Sequence, residues 1–431
     1  MKILIDATTT QDQFANRGVG RYTHEVLTRM IDLSARLDRD DTFYLLTFNS
    51  PTTFEETITK YRNRVKTINI GKLRLSDKLN RLWWYRQYLP AIKSVIRNEN
   101  PDLYFCPYFW RGFPYKLLPT VVMIHDLALP ILGRYSTAPK HLDWIRRLQY
   151  HSSLRKVSRA AAVIANSQNT AKDLLRYVKI SEEKVHAIHL GISESIQKIA
   201  PDQDILLKYL PLRVVETGYI LYYAGIEVNK NVSGIIRAYS EFVKLWQKKC
   251  ESDGSSSKKD MPYLVLAGGD FTKLDVRNNI LAEIKNLIYE FALEDKVYFT
   301  GFFEDDHLND VLNGARMFIH LSMYEGFGFA PLEAMRCGLP VVASNRSCYP
   351  EVLGDGAVLV EPEDPKVVAK ACFEILDNEE YAGKLSKRAI RKASSYTWES
   401  TAKKTYELFE KVARSEAVAQ KNEEVARKDS G

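Results

Sequence analysis

Residues Met323 to Ser344 run MYEGFGFAPLEAMRCGLPVVAS, and three local signals that decide the fold meet there. The apolar run MFIHLS leads into it and PVVAS closes it, each short and bounded by turn residues, as a buried strand requires. Between them, Pro331 suits a first helical turn and Gly338 the position just past a helix end, so PLEAMRCG is expected to be helical, starting near Pro331. Strand, loop, helix, strand is the repeating unit of a parallel sheet. Within the loop, Glu325 and Glu333 stand eight residues apart around Gly326 and Gly328. These glycines let backbone N–H groups approach a ligand, and the helix start carries partial positive charge suited to phosphate. A carboxylate on either side of such an anion site can accept hydrogen bonds from hydroxyls, with a sugar at one end and a ribose at the other. A plainer account makes Glu333 a first-turn acid complementing the helix dipole and Glu325 a turn cap.

The same alternation extends outward along the chain. KILIDA, TFYLLTF, VKTINI, LYFCP, TVVMIHD, AAVIANS and KVHAIHL read as strands in the first half, separated by helix-period segments such as YTHEVLTRMIDLSARL. The second half begins again with YILYYAG and continues through YLVLAGG, KVYFTGF, MFIHLS, PVVAS and AVLVEP. The fold class is therefore α/β, with two Rossmann-like domains built on parallel sheets that face a central cleft lined by strand-to-helix loops. Residues 1–200 form the first domain and 201–397 the second, and a helix at about 398–415 packs back on the first. The segment 192–216, with two prolines, is the expected linker. Residues 248–260, KKCESDGSSSKKD, read as a solvated loop, and the polar tail 416–431 as frayed helix or disorder.

Composition narrows the class. With 45% hydrophobic and 27% charged residues the 431-residue chain is an ordinary globular protein large enough for two cores. Its five cysteines are widely spaced and contain no C-x-x-C pair, which argues against both a disulfide framework and a zinc site and fits a reducing compartment. No apolar run reaches the ~18 residues of a membrane span, and the N-terminus reads as a first buried strand instead of a signal peptide.

Charge is uneven. Residues 1–200 carry 31 Lys and Arg against 18 Asp and Glu, whereas 201–431 carry 30 against 36. The excess concentrates around KLRLSDKLNRLWWYRQYLPAIKSVIR, a basic amphipathic pattern centred on Trp83 and Trp84. It suits an anionic membrane surface or a lipid-phosphate acceptor, and equally a surface helix packing its aromatics on the sheet. Without a binding motif the charge does not indicate nucleic acid.

Seven motifs occur in one order across roughly residues 1–410: RGVGRY, VVMIHDLALP, VIANSQNTAKDLL, YYAGIEVNKN, VYFTGFFEDDHLNDVLNGARMFIHLS, EGFGFAPLEAMRCGLPVVAS and PEVLGDGAVLVEPED. Together they resemble the retaining nucleotide-sugar glycosyltransferases of family 4 with the GT-B fold, a class that includes bacterial mannosyltransferases and sucrose-type synthases. The E-x7-E pair is the most specific of them.

The resemblance implies roles residue by residue. Glu325 contacts the donor sugar, Glu333 the ribose, and the backbone of Gly326, Phe327, Gly328, Phe329 and Ala330 the sugar-phosphate junction. Lys230 matches the diphosphate lysine, whose point charge stabilises the leaving group; read alone it is a solvated loop lysine. Many members carry an arginine beside that lysine or just after the glycine, where this chain has Asn229 and Ile226. Gly18 and Gly20 correspond to the glycine loop that reaches the donor phosphates, with Arg21 adding charge or meeting the acceptor. His125 becomes a contact of donor sugar or acceptor, with Asp126 orienting it, capping the next segment or meeting the acceptor, although the residue alone reads as a satisfied core or turn histidine hydrogen-bonded to Asp126. Asp305, Asp306 and His307 resemble a metal cluster, but adjacent acids before a helix are ordinary caps, and no metal is assigned.

The expected activity is metal-independent transfer of a hexose, with mannose from GDP-mannose favoured, to a glycan or lipid-linked acceptor, with retention of configuration. The protein would need no cofactor beyond the nucleotide-sugar donor and would work in the cytoplasm, at the membrane face. A nucleotide-sugar epimerase and a non-catalytic sugar-binding homologue are the rivals; a dehydrogenase lacks a clearly placed third glycine and ribose acid.

Overall fold

The computed structural model describes residues 1–11, 18–48, 53–71, 88–111, 116–132, 140–252, 261–268, 271 and 279–429. The apolar runs of the first half become β1 (Lys2–Asp6), β2 (Thr42–Thr47), β3 (Val65–Asn69), β4 (Leu103–Cys106), β5 (Thr120–Ile124), β6 (Ala162–Ala165) and β7 (Val185–Ala187). All pair in parallel, in the order β3-β2-β1-β4-β5-β6-β7. Strands covered on both faces need side chains that are apolar throughout. Accordingly β4, β5 and β6 are buried at every position, whereas the edge strands β3 and β7 are partly exposed.

The second half forms β8 (Tyr219–Tyr223), β9 (Tyr263–Ala267), β10 (Val297–Thr300), β11 (Met317–His320), β12 (Val341–Ser344) and β13 (Val358–Val360). These too are parallel, in the order β10-β9-β8-β11-β12-β13, with Phe318 of β11 opposite Leu221 of β8. Their core joins β-strand leucines, isoleucines and valines to the buried faces of the helices Val232–Ser252, Asn279–Glu290 and Pro365–Asp377.

Two compact units result. One comprises Met1–Leu127, Lys140–Gly191 and Thr397–Gly431, the other Ala128–Pro139 and Ile192–Tyr396. The division thus falls at Gly191–Ile192, where the sequence pattern places it at 200. The expected linker is not a linker either, because it folds into the helices Gln203–Tyr209 and Leu212–Thr217 and buries Leu206, Leu210 and Val214 in the second unit. The chain returns to the first unit through the helix Trp398–Asp429, which continues as helix through the expected tail. Trp398 is buried there, the Thr401 hydroxyl donates to the His189 carbonyl at 2.8 Å, and Phe409 packs on Phe105 with ring centroids 5.0 Å apart. Gly191 permits this closure, since a Cβ there would lie 2.2 Å from the Trp398 amide nitrogen.

Residues 248–252 are the last turn of the helix Val232–Ser252 instead of loop; the rest of that segment lies outside the described residues. So do Trp83 and Trp84, while Leu89–Glu99 at the end of the same basic stretch is helical. All five cysteines are buried thiols. No helix among the described residues is long and apolar enough to cross a membrane.

Candidate active site

In an open parallel sheet the loops at the carboxyl ends of the strands diverge where the strand order reverses, and ligands bind there. In the second unit that point lies between β8 and β11. β8 feeds a short turn, Val228–Lys230, before the helix Val232–Ser252, and β11 feeds the loop that carries Glu325. The two loops meet. Lys230 Nζ donates to Glu325 Oε1 at 2.6 Å, and the Ser322 hydroxyl donates to the same oxygen at 2.8 Å. Among the described residues no hydrogen bond reaches Oε2. The side chains are only 19% and 16% exposed, so Lys230 is not a solvated loop lysine.

Asn229, standing where many relatives of the resembled family carry arginine, fastens the two loops together. Its side-chain amide donates to the Tyr324 carbonyl at 3.0 Å, and its backbone carbonyl accepts the Met323 N–H at 2.7 Å. Ile226, the other departure, is buried. The missing charge is thus replaced by a neutral tie and an apolar contact.

Burial alone would raise the Glu325 carboxyl, but the Lys230 charge and the hydrogen bonds from Lys230 and Ser322 outweigh it and hold the group below its usual range. It is a carboxylate at neutral pH. Beneath it His320, pushed down to about 3 by burial, stays neutral. The His320 ring stacks on Tyr222 at 5.4 Å, and its Nδ1 lies 2.7 Å from the Tyr349 hydroxyl. This aromatic floor fixes the end of β11, where the loop that carries Glu325 begins.

The glycine loop continues into the helix Phe329–Arg336, which begins before the expected Pro331. Gly328 occupies the position preceding the helix with φ +88°, and a Cβ there would stand 2.5 Å from the Tyr349 ring. Only glycine satisfies both demands. The turn sets the amides of Phe329 and Ala330 at the positive end of the helix dipole, and Phe327 is buried against Phe329 and Tyr396. Glu333 lies beyond the first turn, which contains no acid, and is 2% exposed. A first-turn dipole role is excluded, and a carboxylate this deep is costly unless it serves a ligand or a local network.

The remaining candidates lie in the first unit. Gly18 and Gly20 lie in the first described turn of the helix Gly18–Arg36, with Gly20 buried. Both sit in the helix itself, where a preceding loop was expected. Arg21 follows in the same turn, and the neighbouring Tyr22 ring meets the His125 ring edge-on at 5.2 Å. His125 stands just past β5 with Nε2 at 2.9 Å from the Pro107 carbonyl; because a carbonyl only accepts, Nε2 carries the hydrogen. Burial lowers this imidazole to about 4, so it too is neutral near pH 7. The ring is oriented by Pro107, not by the expected Asp126, whose backbone carbonyl accepts from the Tyr150 hydroxyl at 3.3 Å.

Asp305 and Asp306 are not caps. His307 precedes the helix Leu308–Gly314, and no side chain caps it. Ligand-type atoms of Glu304, Asp306 and His307 lie within 4.8 Å of one another, but the two carboxylates face solvent and His307 Nδ1 is engaged by the Tyr209 hydroxyl at 2.7 Å.

Lys230, Glu325, the glycine loop and Glu333 therefore gather at one switch point, while His125, Asp126, Gly18, Gly20 and Arg21 belong to the other unit. Sequence reasoning missed Ser322, His320 and Tyr349, and read Asn229 only as a lost charge. A faint signal exists for two of them, since His320 and Ser322 are polar residues ending an otherwise apolar run.

The family model for glycosyl transferases group 1 matches residues 212–392, and that for glycosyltransferase family 4 matches 17–195. The chain is 28% identical over 334 residues to the serotype-specific mannosyltransferase WbdA of Escherichia coli, covering 74% of this chain but 38% of that protein. It is 25% identical to the O-antigen chain mannosyltransferase B of Escherichia coli over 95% of this chain and 99% of that one. Among solved structures, the sucrose-phosphate synthase of Thermosynechococcus elongatus superposes with a TM-score of 0.69 at 20% identity, covering 96% of this chain and 99% of that one.

Proposed function

The chain belongs to the group 1 glycosyltransferases, with a family 4 amino-terminal half, and on that premise we propose that it moves mannose from GDP-mannose to a glycan or lipid-linked glycan acceptor. The carrying observation is the division of labour at Glu325. Lys230 and Ser322 both bind Oε1, which fixes the carboxylate and leaves Oε2 to accept from a sugar hydroxyl. The amides of the glycine loop and the first helical turn receive the diphosphate, Glu333 receives the ribose, and Lys230 neutralises charge developing on the leaving nucleoside diphosphate. This cationic help makes a metal unnecessary. Mannose is supported by the names of the relatives, two of them mannosyltransferases over much of this chain.

Transfer proceeds with retention by a front-face route, in which the departing phosphate takes the acceptor proton and the protein contributes positioning and charge. Within the first unit, His125 in its neutral form, Arg21 and Asp126 offer hydrogen bonds to acceptor hydroxyls. Residues 1–191 and the returning helix would thus serve the acceptor and 192–396 the donor. The basic excess of the first half draws the enzyme to the cytoplasmic membrane face, where a lipid-linked acceptor resides.

Replacing Glu325 by Ala tests the assignment. Transfer should fall by at least about a hundredfold while free GDP still binds; unchanged transfer would reject it.

A further inference from the structure

Ser347 lies in the loop after β12 with φ +57°, a left-handed conformation that glycine adopts freely and serine seldom. Its hydroxyl donates to the Glu325 carbonyl at 2.6 Å and accepts the Glu325 N–H at 3.1 Å. One side chain thus satisfies both backbone groups of a single residue, as a neighbouring strand would. The loop that presents it is anchored on both sides. Arg346 pairs with Glu361 at 2.6 Å and Glu363 at 3.0 Å, beside the end of β13. On the other side Cys348 is fully buried, and Tyr349 reaches His320 and lies against Gly328.

A sparsely populated conformation held by its surroundings at this spot calls for a functional explanation. We propose that Ser347 is a positioning residue for the donor-gripping carboxylate: by clamping the Glu325 backbone it aims the side chain so that Lys230 and Ser322 meet one oxygen and the sugar meets the other. The inference rests on the transferase role given above. It identifies what fixes the base of the Glu325 side chain, while Lys230 and Ser322 fix its tip. Glycine would fit this backbone better but has no hydroxyl to bind Glu325.

The geometry separates this role from a structural one. Ser347→Gly removes the hydroxyl but relieves the backbone, so its Tm should be no lower than that of the wild type. Its kcat, followed as GDP release from GDP-mannose with p-nitrophenyl α-mannoside as acceptor, should fall at least about tenfold, because small misplacement of a reacting group is costly. The donor KM should change by less than about threefold, since the phosphate and ribose contacts are intact. Ser347→Thr keeps the hydroxyl and should retain kcat within about threefold of the wild type, even with a lower Tm. A Ser347→Gly enzyme with wild-type kcat would overturn the proposal, as would a parallel loss of Tm and kcat. A wild-type chain that releases nucleotide from neither GDP-mannose nor UDP-glucose would instead overturn the transferase role beneath it.

Discussion

Glu325 keeps its charge at the end of an apolar strand because its partners outweigh its burial. Its folded-state carboxyl lies below the ordinary 4.5, so the pair with Lys230 contributes stability that is fully present above the unfolded value and lost as pH falls through the folded one. The sign follows from the unfolded chain binding the proton more readily than the folded one. Thermal melts of wild type and Glu325→Gln from pH 7 to pH 3 should show the variant less stable by about 2 kcal/mol in the neutral range. The gap should close only below about pH 4.5. A gap that stays constant down to pH 3, or widens there, would show that the ionised pair does not set it. Burial of His320 makes both proteins lose stability as pH falls below its ordinary 6.5, and the difference between the two melts removes the part common to both.

At the scale of elements, the decisive feature is the glycine turn between β11 and the helix Phe329–Arg336. Gly328→Ala adds a methyl in a left-handed conformation and drives it against Tyr349, whose hydroxyl is fixed by His320. The second unit should lose roughly 2–4 kcal/mol by denaturant unfolding. Gly383→Ala is the control, because nothing lies within 4 Å of its added Cβ inside the helix Glu379–Ala393, and there alanine should stabilise by about 1 kcal/mol. Equal effects at the two sites would remove the special role of Gly328. The thirteen strands among the described residues were legible in the sequence because parallel strands covered on both faces must be short continuous apolar runs. The segment 192–216 was not, since Pro211 reads as a breaker yet immediately precedes a helix. Leu206, Leu210 and Val214, four residues apart, carried the helical period that the prolines obscured. The Glu325–Glu333 spacing marked a candidate site in the sequence, but the contacts that hold the Glu325 backbone were not legible there. Ser347 holds Glu325 itself and Asn229 holds the preceding Met323 and Tyr324, each from a distant loop, and a side chain that binds another segment's backbone leaves no periodic trace.

Across the whole chain, each unit has its own parallel sheet, and the helix Trp398–Asp429 returns to the unit in which the chain began. That path resembles covalent insertion of one unit into another, with Gly191 and Trp398 in contact where the first unit is left and re-entered. Charge is divided along the same line, the first 200 residues being strongly basic and the remainder acidic. On the proposed reading the acidic half carries the anion-binding loop, so diphosphate recognition there would rest on local donors, the Lys230 ammonium and helix-start amides, more than on net field. The most direct measurement is the melting temperature with GDP-mannose, UDP-glucose, UDP-N-acetylglucosamine and ADP-glucose, for wild type and Glu333→Ala. At a hundred times its dissociation constant a ligand stabilises the folded state by about 2.7 kcal/mol. GDP-mannose should therefore raise the wild-type melting temperature by several degrees and keep raising it with the logarithm of concentration, with Glu333→Ala needing about tenfold more for the same rise. No rise with any of the four, or an equal rise in the variant at the same concentration, would contradict a nucleotide-sugar site at Glu325 and Glu333.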